Sequence, residues 1–116
     1  LISSDGLSLI QAMLTRNQIL EHEDGRLYLW QFKGKLFLEA QIFGRLTKRS
    51  LKEWVLILNL LEEELSQKDH SEIYCMAQGL RSFRFCQLMG FQSANEHIAP
   101  PNMEPVELMR KVIHNG

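Results

Sequence analysis

Two runs of alternating side chains, "GRLYLWQF" and "KLFLEAQIF", stand on either side of Lys33-Gly34. Side chains alternate across a strand with a period of two, so this pattern leaves little choice but a hairpin. Leu27, Leu29 and Gln31 fall on one face of the first run, and Tyr28, Trp30 and Phe32 on the other. In the second run Leu36, Leu38, Ala40 and Ile42 alternate with Phe37, Glu39, Gln41 and Phe43. Asp24-Gly25 reads as a further turn upstream, because glycine tolerates the positive φ that tight hairpin turns demand. A three-strand antiparallel meander is therefore expected at 18–23, 26–32 and 35–43. Its aromatic residues admit two readings. They form the core beneath a covering helix, or part of that surface meets a partner or a second copy of the chain.

At "RLTKRSLK" the apolar period lengthens to that of a helix. Ser50 followed by Glu53 reads as a capping box. Leu51, Trp54, Val55, Leu58, Leu61 and Leu65 make one stripe, broadened by Leu56, Ile57 and Leu60. The helix expected over 50–67 must be largely covered, as when a helix lies flat on a sheet. A short strand follows at 72–77. "LRSFRFCQLMG" then predicts a helix with Leu80, Phe83, Cys86 or Gln87, and Leu88 facing inward, stopped by Gly90. Residues 91–98 read as a strand and "APPNMEP" as a turn. "VELMRKVI" reads as a closing strand or a short helix. Upstream, "LSLIQAMLTR" predicts a first helix over 7–16, with Asp5 as its cap. Strand, helix and strand at 36–43, 50–67 and 72–77 make a βαβ crossover, so the outer two should run parallel. The fold class is α/β (α+β), with a mixed, mostly antiparallel central sheet and helices packed on it.

A chain of 116 residues, 45% of them apolar and 23% charged, is expected to form a single domain over 1–116. It begins without methionine, which suggests a processed or trimmed chain with elements missing upstream. The formal charge of -1 gives no global basis for binding nucleic acid or an anionic membrane. Anion binding must be local, and the cluster Arg45, Lys48, Arg49 and Lys52 is the best candidate, followed by Arg81 and Arg84. Cys75 and Cys86 lie in apolar patterns and read as reduced core residues, which points to the cytoplasm. No run approaches the roughly 18 apolar residues that read as a membrane span, and no signal peptide is evident. The histidines lack metal-ligand spacing, so no metal centre is expected. Phosphate-loop, dinucleotide and serine-nucleophile motifs are absent.

The order of elements, together with "GLRSFRFCQLMGF" (79–91), resembles the GNAT superfamily of acyl-CoA-dependent N-acyltransferases. The segment resembles the family's second conserved helix, which opens on Asn, continues with Ala and carries a Tyr ahead of a hydrophobic-Gly-Phe ending. "VELMRKVI" resembles the family's last strand. The resemblance spans about residues 7–113 and lacks the family's N-terminal elements. It implies that acetyl-CoA would place its pyrophosphate on the loop and helix start, at Lys48, Arg49, Ser50, Leu51 and Lys52, with Arg84 nearby. It implies Glu39 as general base, with His22 between two glutamates as a lesser candidate, and it puts Cys86 where the family uses a tyrosine acid. The cofactor loop is divergent: Lys52 and Trp54 stand where glycine, and glycine or alanine, are expected, and Gly79 replaces the Asn. These departures favour a non-catalytic protein-interaction or assembly scaffold, with a protein partner or homo-oligomer. The alternative is an acetyl-CoA-dependent N-acetyltransferase acting on an amine of a small molecule or protein.

Overall fold

The computed structural model describes residue 11 and residues 14–98 and 104–113. The expected first helix over 7–16 and the proline turn near 99–103 lie largely outside the described residues. One six-stranded sheet dominates, made of β1 (Asn17–His22), β2 (Gly25–Phe32), β3 (Lys35–Ile42), β4 (Glu72–Ala77), β5 (Gln92–Ile98) and β6 (Val106–Val112). Helix α1 (Lys48–Gln67) connects β3 to β4, and α2 (Gly79–Leu88) connects β4 to β5. The strand order is β1-β2-β3-β4-β6-β5. Every neighbouring pair is antiparallel except β3–β4, the parallel pair of the crossover. This is a mixed, mostly antiparallel sheet with helices packed on it.

Local chemistry explains most of the element ends. Lys33 and Gly34 both take positive φ, 51° and 74°, so the β2–β3 hairpin uses the tight turn its sequence announces. Asp24-Gly25 differs from expectation. The β1–β2 turn is Glu23-Asp24, and Gly25, which is outside the left-handed region, opens β2 opposite Ile42. A Cβ there would sit 2.3 Å from the Gln41 carbonyl oxygen and 3.1 Å from Trp54 Cζ2, so this glycine serves close approach rather than a turn. Gly90 ends α2 as expected: the Phe91 N–H donates to Cys86 O and the Gly90 N–H to Gln87 O, closing a Schellman motif.

The closing segment is a strand lying between β4 and β5. Its imperfect alternation follows from apolar cover on both faces, with Leu108 and Met109 both buried. Opposite faces of the sheet hold two different cores. Under the helices, Leu27, Leu36, Leu38, Ile73, Cys75 and Met109 pack with Trp54, Leu58 and Leu65 of α1 and Cys86 of α2. On the other face Trp30, Phe32, Phe37, Tyr74 and Leu108 form an aromatic cluster, with Trp30 stacked on Phe37 at 4.5 Å. The aromatic residues of β2 and β3 are therefore not the core beneath the long helix. Phe37 is 1% and Trp30 4% exposed, so they are not a free surface either. Phe43 lies outside this cluster, half-exposed beneath the Arg26 guanidinium.

The inner stripe of α1 is narrower than its leucines imply. Leu56 and Leu60 are 63% and 67% exposed. On α2, Leu80 and Leu88 also face outward and Cys86 alone is buried. Lys111 joins these layers: its Nζ lies 3.1 Å from Glu62 Oε2 of α1 and donates to the Met89 carbonyl at 3.0 Å. The pair is largely screened from water, with side chains 19% and 14% exposed.

Candidate functional site

The parallel crossover is where the sheet is weakest. β2 and β3 pair continuously from Gly25↔Ile42 to Phe32↔Lys35, whereas β3 and β4 share the single register pair Phe37↔Tyr74. Beyond it, Leu38–Ile42 and Cys75–Ala77 run on without pairing to each other. Edge N–H and C=O groups left without a ladder need other partners. These unpaired stretches are the carboxyl-terminal parts of both strands, the side on which crossover sheets commonly receive ligands.

α1 begins just after the carboxyl end of β3, against the β1–β2 turn, and its N-terminus is built differently from the expected capping box. Thr47 is the cap: its Oγ1 accepts the Ser50 N–H at 3.1 Å and contacts Ser50 Oγ at 2.9 Å. Leu51 N–H donates to Thr47 O at 3.0 Å, the first helical bond. Ser50 is already helical and 7% exposed, so it cannot occupy the extended position a cap requires. Glu53 turns away to His22. Among the described residues, the N–H groups of Lys48 and Arg49 are left without an acceptor at the positive helix end. The side chains of Lys48, Arg49 and Lys52 are exposed there, and Leu51 is half-buried. Arg49 contacts Glu53 at 3.6 Å, but its side chain is 91% exposed, so solvent screens the pair. Trp54, which stands where the resemblance expects glycine or alanine, is 2% exposed and packs in the helix-side core. It leaves the approach to the first turn clear. Arg84 is exposed on α2, as is Arg81.

A strut holds this helix start in place. The Asp24 N–H donates to His22 Nδ1 at 3.0 Å, so Nδ1 is the acceptor nitrogen. Nε2 therefore carries the proton and donates to Glu53 Oε2, 3.0 Å away. The imidazole also packs against Trp54 at 5.5 Å between centroids. Ligand atoms of His22, Asp24 and Glu53 lie within 4.8 Å of one another, the one such group among the described residues. Both ring nitrogens are committed to hydrogen bonds, so the arrangement acts as a tie between the β1–β2 turn and α1. Spacing along the chain could not reveal it, because Glu53 arrives from another element.

Glu39 and Cys86 are not brought together. Glu39 projects from β3 on the aromatic face, where its Oε2 lies 3.3 Å from Arg16 Nε. Cys86 points into the helix-side core, with its sulfur 3.0 Å from that of Cys75, and the sheet lies between it and Glu39. Both cysteines are free thiols. The Cys75 thiol donates to Cys86, and this bond, with burial, pushes Cys75 far above the ordinary thiol range. The same bond holds Cys86 below its ordinary value, against the effect of burial.

No family model matches the chain, and no curated protein does. Solved structures do. An aminoglycoside 6'-acetyltransferase type Ii superposes with a TM-score of 0.60 at 16% identity, covering 85% of this chain and 68% of that one. The aminoglycoside 6'-N-acetyltransferase from Enterococcus faecium gives 0.59 at 15% identity, over 85% and 72%. A provisionally named acetyltransferase from Agrobacterium tumefaciens gives 0.55 at 14% identity, over 97% and 94%. The fold is thus GNAT-like.

Proposed function

We propose that this domain binds an acyl-CoA thioester in the opening between β3 and β4 and transfers the acyl group to an amine. The observation that carries this reading is the parallel crossover, paired only at Phe37↔Tyr74, with the α1 N-terminus following the carboxyl end of β3. The structural neighbours named as acetyltransferases support it. A pyrophosphate needs N–H donors and positive charge at a helix start, and Lys48 and Arg49 offer both. An extended, amide-bearing arm could hydrogen-bond the unpaired edges of β3 and β4, as an added strand would. Glu39, positioned by Arg16, is the candidate to take the amine proton through water. This reading assigns no proton transfer to Cys86, whose sulfur faces Cys75. Calorimetric titration with acetyl-CoA should saturate, and Lys48→Ala with Arg49→Ala should weaken binding about tenfold or more. No saturation at millimolar acetyl-CoA would overturn the proposal. Thiol release with a panel of amines tests the transfer step, and Glu39→Gln should slow it by about 10²–10⁴.

The scaffold reading keeps one observation in its favour: Leu56 and Leu60 form an exposed apolar pair on α1. If that face mediates assembly, light scattering over a concentration series should show mass rising with concentration. A constant monomer mass counts against it.

A further inference from the structure

The only two cysteines in the chain play no part in the proposed cleft chemistry, yet the fold brings them into contact. Cys75 sits in β4, paired across the ladder with Met109, and Cys86 is the one buried residue of α2. Their sulfurs are 3.0 Å apart at the interface between helix and strand. Among the described residues no histidine or carboxylate joins them as a metal-ligand group, and zinc held by two thiolates would need further ligands. Cross-linking is the chemistry left open to them.

We propose that Cys75 and Cys86 are a reversible disulfide site, closed by exchange with a low-molecular-weight disulfide such as oxidised glutathione, and that the bond pins α2 to β4. Bringing the sulfurs to the roughly 2.05 Å of a disulfide needs a shift of about 1 Å. Reagent access comes from α2. The helix has no side-chain N-cap bond at Gln78, starts on Gly79 at φ 81°, and turns Leu80 outward. With a single buried residue it is the cheaper element to open, whereas Cys75 is held in the sheet. Cys86 is therefore the attacking thiol, since it lies on the element that opens. Its thiolate attacks one sulfur of oxidised glutathione, that S–S bond breaks, and one glutathione leaves as thiolate. Cys75, on giving up its proton, then attacks the Cys86 sulfur and expels the second glutathione. Two protein thiols are oxidised, one glutathione disulfide is reduced to two thiols, and the two protons pass to them.

The test is incubation of the native protein with excess oxidised glutathione, followed by alkylation, intact-mass measurement and peptide mapping. The expected product is a monomer lighter by two hydrogens, with neither cysteine alkylated and a peptide bridging Cys75 to Cys86. Dithiothreitol should restore both thiols, and the oxidised protein should melt several degrees higher than the reduced one. Cys75→Ser should stop at a glutathione adduct on Cys86. Mapping of the wild-type product does not depend on that variant folding. Wild-type protein that keeps both thiols, stops at the mixed disulfide, or links between chains would overturn the proposal.

Discussion

Replacing Gly25 with alanine adds one methyl group where two elements converge. The new Cβ would lie 2.3 Å from the backbone oxygen of Gln41 and 3.1 Å from the Trp54 ring. The first neighbour belongs to the β2–β3 ladder and cannot swing aside as a long side chain would. The second is 2% exposed and packed under α1. Overpacking of this kind costs about 1–3 kcal/mol. An opposing effect comes from the unfolded chain: where the native φ suits alanine, Gly→Ala stabilises by about 0.4–1 kcal/mol. Gly25 is outside the left-handed region, so that gain applies. The steric cost should win, leaving a net loss of about 1–2 kcal/mol. Urea unfolding followed by circular dichroism should show a lower midpoint with an unchanged slope. A Gly25→Ala protein as stable as wild type, or more so, would refute the reasoning that this glycine is there for close approach.

Thr47→Ala should destabilise the protein by about 1 kcal/mol in the same assay, while Ser50→Ala should cost less, since the Ser50 N–H would keep its Thr47 acceptor. Lys111→Met leaves the Glu62 carboxylate without its cation in a largely screened site, and chemical unfolding should report a loss of about 1.5–3 kcal/mol. Burial first, and then the hydrogen bond it donates to Glu72, raises Tyr74 above its ordinary 10.0. A group raised on folding adds stability below its unfolded value and loses it as pH climbs through the folded one. In Tyr28→Phe, which leaves Tyr74 as the single tyrosine, ultraviolet titration should give a midpoint above 10.0, with stability falling over that alkaline range.

The meander, both long-period segments and the crossover were legible because each rests on local patterning that tertiary packing did not override. Strand and helix periods differ, and Lys33-Gly34 and Gly90 punctuate them. The cap was misplaced because Ser50-Glu53 and Thr47-Ser50 carry the same local chemistry, and only burial of Ser50 decides between them. Face assignment stayed open for a different reason. Both faces of β2 and β3 are apolar, so alternation shows which side chains share a face but not which face α1 covers. Leu56 and Leu60 look like core in a helical wheel because a leucine does not reveal whether anything lies against it. The strut from His22 to Glu53 and the contact between Cys75 and Cys86 are long-range pairings, and no spacing rule in one sequence encodes them. Glu39 was named from a resemblance, and its ion pair with Arg16 became visible only in the fold.

The central claim is that the open crossover and the α1 start together form an acyl-CoA site. Amide chemical-shift mapping on isotope-labelled protein, titrated with coenzyme A, tests it most directly. The account predicts saturable shifts concentrated at Lys48 and Arg49 and along the facing edges Leu38–Ile42 and Cys75–Ala77, with the far strand β1 little changed before its last turn. Shifts confined to scattered exposed lysines, or none at millimolar ligand, would contradict it.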